Sequence, residues 1–214
     1  MKLSAKFYSG QGSVNGQILK LVQSCYEINR KFFAKDLDNL DLIIIKTRKE
    51  MDRILGRATP SWLVGSVKNN KINIFTPEAF EQVSPHKKTE FKLVLTHEIA
   101  HLFLDKYYSF KNPVWLAEGL PGYIAGQYKI RSMNKTIKQK LSELHFRKDW
   151  ERTPNYTEAF WFTKFIIDTY GKQKLFALLA ILREEENYSD FNKKFGKIFN
   201  ENIDPVYNRW LVNV

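Results

Sequence analysis

The sequence predicts an α+β fold, with a small antiparallel or mixed N-terminal sheet and its helices followed by a mostly helical C-terminal half. Two observations carry this expectation. The strand-like runs, at residues 40–46, 62–67 and 71–75, all fall in the first third of the chain or just beyond it. From Thr89 onward the apolar residues recur at helical spacing almost to the end.

Taken in order, Ser9, Gly10, Gly12, Ser13 and Gly16 read as a loop or turn that lacks the Gly-Lys-Ser/Thr ending of a phosphate cradle. A helix over about 14–34 would place Ile18, Leu21, Val22, Cys25 and Ile28 on one face. Residues 40–46 are β-branched and short, as a buried strand requires, and a short helix over about 48–55 follows. The runs 62–67 and 71–75 flank Asn69-Asn70, a turn signal that makes them a hairpin. Pro77 and Pro85 punctuate a linker. Thr89 can cap a helix whose apolar stripe is Phe91, Leu95, Ile99, Leu102 and Phe103. Pro113 can open the next one, seated by Trp115, Leu116 and Ala117. Segments 165–171 and 175–182 read as a helix pair, and Phe191, Phe195 and Phe199 as the packing stripe of a closing helix. With no internal repeat and no evident boundary, residues 1–214 are expected to form a single domain, its sheet-containing part at 1–88 and its helical part at 89–214.

The chemistry concentrates in His97-Glu98-Ile99-Ala100-His101 and in Trp115-Leu116-Ala117-Glu118-Gly119, with sixteen residues separating His101 from Glu118. Positions i and i+4 of a helix stack on one face, so both imidazoles can reach one metal ion. Glu98 lies roughly 100° around the helix from His97, placed to touch a metal-held water rather than the metal. Catalytic zinc takes three protein ligands and keeps a fourth position open, so two histidines call for a third ligand. Glu118 is the candidate, because a glutamate in an apolar run is costly to bury unless something pairs with it. The plain alternatives are two structural histidines with a stray glutamate, and a Glu118 that sits on an exposed face or forms a salt bridge to one of the many lysines.

These two segments resemble the gluzincin zinc metallopeptidases, in particular the peptidase-MA-like domains related to the catalytic domain of aminopeptidase N. The resemblance covers most of the chain and implies a zincin-like fold, one Zn2+ per chain held by His97, His101 and Glu118, and Glu98 as general base. It also aligns Asn155-Tyr156-Thr157-Glu158-Ala159-Phe160 with the family's Tyr-x-Lys-Gly segment, through the tyrosine and the small residue Ala159. That makes Tyr156 the oxyanion-stabilising residue, a donor typically worth about 3 kcal/mol. The hairpin around Asn69-Asn70 sits where the family places the strand lining its substrate cleft, and 71–75 is the segment expected to pair with an extended substrate. The sequence departs from the family at Pro121 and Gly122, where a proline would kink the helix after Glu118 or leave Glu118 in its first turn. It also lacks a Gly-Ala-Met-Glu-Asn segment, so a preference for free amino termini is not implied.

Composition bounds the remaining possibilities. Hydrophobic residues make up 43% of the 214 and aromatics 14%, which fits a folded globule and not a disordered chain. Cys25 alone excludes an internal disulfide. No run of eighteen apolar residues is present, and residues 1–8 have too short an apolar core for a secretory leader, so a cytoplasmic location is expected. The net charge of +11 comes mostly from 25 scattered lysines. Its densest stretch, 129–152, holds eight Lys or Arg against three acidic residues and reads as a solvated face or as one rim of a cleft. No nucleic-acid signature accompanies it, so a peptide or protein substrate is the expected partner and nucleic acid is not. The alternative from another class is a metalloprotease-fold protein that binds a partner without cutting; Glu98 argues against it, because a structural zinc site needs no base.

Overall fold

The computed structural model describes residues 1–10, 12–108, 110–133, 140–152 and 155–213. Residue 11 of the glycine-containing loop and residues 134–139 of the basic stretch therefore lie outside the described residues. The chain divides into two compact units, 1–103 and 104–214. The expected α+β class holds: a mixed sheet with helices comes first and a mostly helical region second.

The first unit is built on a four-stranded sheet in the order β1-β2-β4-β3, where β1 is Lys2–Phe7, β2 Asn39–Ile45, β3 Gly65–Lys68 and β4 Lys71–Phe75. Strands β1, β2 and β4 run parallel and β3 is antiparallel to β4. A parallel pair needs a crossover, and α1 (Gly16–Phe33) supplies it between β1 and β2. The buried face of α1 is Val22, Cys25, Tyr26, Asn29 and Phe33, while Ile28 of the expected stripe is exposed. Asn29 Nδ2 donates to the carbonyl of Thr96 at 3.0 Å. Asn69 and Asn70 both take positive φ, 51° and 57°, which is the tight hairpin turn their sequence suggested.

Two expectations change here. The expected substrate strand, 71–75, is β4, and it is hydrogen-bonded on both sides, to β2 and to β3. It has no open edge; β1 and β3 are the strands at the borders of the sheet. The proline-marked linker also contains a helix, α3 (Pro77–Val83), capped by Thr76 and started by Pro77 at its first turn.

Between the sheet strands lies α2 (Arg48–Leu55), whose Thr47 and Glu50 form a reciprocal capping box and whose Gly56 closes it at φ 75°. Arg48 then ties down the loop that leads into β3. Its guanidinium donates to the carbonyls of Leu63, Ser61 and Val83. Asp52 accepts from both the backbone N–H and the hydroxyl of Thr59 in the same loop.

The long helix α4 (Phe91–Tyr107) follows a 3₁₀ turn at Lys88–Glu90, so Thr89 sits inside that turn and does not cap α4. From Val94 to Leu104 every residue but the half-buried His101 is buried, and Phe91, Leu95, Ile99, Leu102 and Phe103 lie among apolar neighbours as expected. A helix covered on nearly all sides holds its polar residues in a fixed setting.

The second unit contains α5 (Val114–Ala125), α6 (Arg147–Arg152), α7 (Tyr156–Tyr170), α8 (Lys172–Leu179), α9 (Tyr188–Phe199) and α10 (Ile203–Val212). Pro113 is the N-cap of α5, which continues through Pro121 to Ala125 and so places Glu118 beyond its first turn. Helices α5 and α7 lie very close. A β-carbon on Gly119 would stand 2.6 Å from the carbonyl oxygen of Ala159, and one on Gly122 would collide with the ring of Phe160. The stripe Phe191, Phe195 and Phe199 is buried, as expected, but α10 and not α9 closes the chain. Among the described residues no helix is long and apolar enough to cross a membrane.

Candidate metal centre

Helix α4 carries His97 and His101 one turn apart, and their Nε2 atoms stand 3.1 Å from each other. Two ring nitrogens aimed at one another at this separation need a shared proton or a cation. Zinc–nitrogen bonds of about 2.0–2.1 Å would span such a pair. His97 is 7% exposed, Glu118 6% and Glu98 7%, so all three polar groups are withdrawn from water. One ligand atom from each of His97, His101 and Glu118 lies within 4.8 Å of the others. Two imidazole nitrogens and one carboxylate oxygen so close together form a donor set that could hold a metal ion.

Comparison with known proteins adds no family. No family model matches the chain, and no curated protein matches it. The reading of this cluster therefore rests on its own geometry and on its sequence pattern.

Glu98 belongs to the same helix and lies against the start of β3. A β-carbon on Gly65, at the start of β3, would lie 2.7 Å from Glu98 Oε1 and 2.9 Å from its Cγ. The bare backbone of the border strand thus runs directly past the glutamate of the motif. With Glu98 in this position a β-carbon at residue 65 would have to displace its side chain, a reason for Gly65 that its sequence context did not disclose.

Glu118 has an ionic partner, and it is an arginine, not one of the lysines that the plain alternative named. Arg147 Nη2 lies 3.0 Å from Glu118 Oε1, with the arginine side chain 52% exposed and the glutamate 8%. Arg147 belongs to the basic stretch 129–152, so part of that stretch serves this carboxylate.

Tyr156 is the first residue of α7 and half-buried, its ring edge-on to Trp150 at 5.2 Å and tilted against Phe160 at 6.1 Å. Two residues on, Glu158 is 5% exposed and accepts a hydrogen bond from the Tyr207 hydroxyl. Burial pushes the Glu158 carboxyl up to about 7, against the opposing hydrogen bond from Asn155. Nothing in the sequence marked Glu158 as buried, since its partner comes from α10.

The other two histidines are engaged elsewhere. His86 pairs through Nδ1 with Glu90 at 2.9 Å and through Nε2 with the carbonyl of Trp62 at 3.0 Å. His145 is fully buried, its Nε2 2.6 Å from the carbonyl of Glu186, and burial lowers its pKa. Neither joins the cluster found among the described residues.

Proposed function

We propose that this protein is a zinc-dependent peptidase of the gluzincin type, related to the peptidase-MA-like domains. The observation that carries the reading is the convergence of His97, His101 and Glu118, the three residues singled out by pattern alone, within 4.8 Å. Zinc held there supplies a Lewis acid for a peptide carbonyl and a water of lowered pKa.

The chain's own residues do the rest. Glu98, buried beside the ligands on α4, accepts the proton of the attacking water and returns it to the leaving amine. Tyr156 donates a hydrogen bond to the oxygen that gains negative charge. The border strand β3, which runs beside Glu98, is positioned to add an extended substrate as a further strand, because among the described residues no strand pairs with its outer edge. Gly65 brings that strand to Glu98, which aligns a peptide bound there with the base.

The test has two parts. Metal analysis should find one zinc per chain in the wild type, none in the double variant His97→Ala/His101→Ala, and less in Glu118→Ala. Glu98→Gln should keep its zinc and lose roughly 10²–10⁴-fold in peptide hydrolysis. A wild-type chain that takes up no zinc sinks the reading. A chain that binds zinc but cleaves no member of a peptide library leaves a metal-holding partner-binding protein.

A further inference from the structure

We propose that Arg147 is the positioning residue for the carboxylate of Glu118, an inference that rests on the zinc site proposed above. Glu118 sits in an apolar stretch of α5 flanked by Ala117, Gly119 and Leu120, all buried. An ionised carboxylate there requires a partner, and its rotamer is set by whatever partner it has. Arg147 holds it at 3.0 Å through one terminal nitrogen of a planar guanidinium, whose N–H directions are fixed by the plane, unlike the freely rotating donors of an ammonium. The root of this arginine is itself anchored. It follows a 3₁₀ turn, Leu141–Leu144, whose Leu141 and Leu144 are each 1% exposed, together with the fully buried His145.

Two effects of Arg147 on the metal oppose each other. Its positive charge repels a divalent cation, and its hydrogen bond aims the ligand. The Arg147 side chain is 52% exposed, so water and salt screen the repulsion. Screening does not weaken the geometric constraint on Glu118, and hydrogen-bonding partners of metal ligands are commonly worth roughly 10–100-fold in metal affinity. The orienting effect therefore wins, and Arg147 strengthens metal binding although it is a cation.

The experiment measures zinc dissociation constants by chelator competition on the full chain, for wild type, Arg147→Ala and Arg147→Lys, at low and high salt. Far-UV circular dichroism of each metal-free variant monitors the fold. Arg147→Ala should bind zinc roughly 10–100-fold more weakly at both salt concentrations. Arg147→Lys should fall between, because an ammonium keeps the charge and loses the fixed direction of the N–H donor. Unchanged or tighter binding by a folded Arg147→Ala overturns the proposal. Should the alanine variant not fold, the lysine variant decides: weaker zinc supports the proposal and equal affinity overturns it. A wild type without zinc affinity fails the function proposed above and takes this inference with it. A wild type that binds zinc as tightly as its variants leaves the function standing and removes only the role of Arg147.

Discussion

Gly65 and Glu98 are so close that a single added β-carbon on the glycine would stand 2.7 Å from Glu98 Oε1 and 3.0 Å from Val94 Cγ1. The obstacle is mostly the end of a side chain, which can swing aside, so Gly65→Ala should fold. Overpacking of this kind costs about 1–3 kcal/mol, read as a lower urea midpoint. The larger consequence is a displaced Glu98. Zinc content should stay at the wild-type level while peptide hydrolysis drops about tenfold, a loss in kcat rather than KM, since positioned bases contribute roughly 10²–10⁴-fold in all. A variant with wild-type kcat would show that the close approach is packing alone.

Gly119 presents the harder case. Its added β-carbon would meet the carbonyl oxygen of Ala159 at 2.6 Å as well as the hydroxyl of Thr163, and a helix backbone cannot turn away as a side chain can. Gly119→Ala should therefore force α5 and α7 apart and cost more than about 3 kcal/mol in urea unfolding, at the upper end of overpacking penalties. Gly16→Ala is the matched control. No atom lies within 4 Å of its β-carbon position, at the start of α1, and alanine should leave stability unchanged or raise it by about 0.5–1 kcal/mol.

Arg48 ties the approach to β3, through the carbonyls of Leu63 and Ser61, to the end of α3, through that of Val83. Removing it leaves those acceptors without their donor, and hydrogen bonds to a charged group contribute about 1.5–3 kcal/mol each at most. Arg48→Ala should lose about 3 kcal/mol of stability and open residues 56–64 to limited proteolysis ahead of the rest of the chain. Arg48→Lys cannot span three acceptors and should resemble the alanine variant. Cleavage that starts elsewhere, with residues 56–64 still resistant, would remove Arg48 from this role.

What the sequence disclosed and what it withheld divide along the range of the interactions. The Asn69-Asn70 turn and the stacking of His97 on His101 each depend on residues four or fewer positions apart, and each was legible. Strand β1 escaped notice although Leu3, Ala5 and Phe7 alternate, because its partner begins at Asn39 and a short strand without a neighbour has no signature of its own. The place of β4 inside the sheet likewise follows from its parallel pairing with β2. One local sign was present: Ile72, Asn73, Ile74 and Phe75 are buried in succession, and a run of mostly apolar residues suits a strand covered on both faces. Glu118 was recognisable by its apolar setting, but Arg147 was not, since nothing local tells one basic residue of 129–152 from the next. The glycines of α5 acquire their reason only when α7 is laid against them.

Glu158 gives the protein a stability that depends on pH in a known direction. Its carboxyl is raised from 4.5 to about 7, chiefly by burial. Between these values the unfolded chain releases the proton while the folded chain keeps it, so the folded state loses ground as pH rises. The favourable contribution is complete below about 4.5 and has gone above about 7, and 2.5 pKa units correspond to at most about 3 kcal/mol. Glu158→Gln keeps an acceptor for the Tyr207 hydroxyl and cannot ionise. Urea unfolding of both proteins from pH 4.5 to 8 should therefore show the variant gaining on the wild type across the interval and holding a constant advantage above it. Comparing the pair at each pH cancels the titration of every other group that the two chains share. A difference that stays flat with pH would mean that Glu158 titrates alike in the folded and unfolded chains. A difference of the opposite slope would mean that the Tyr207 hydroxyl and Asn155 stabilise the carboxylate by more than burial penalises it.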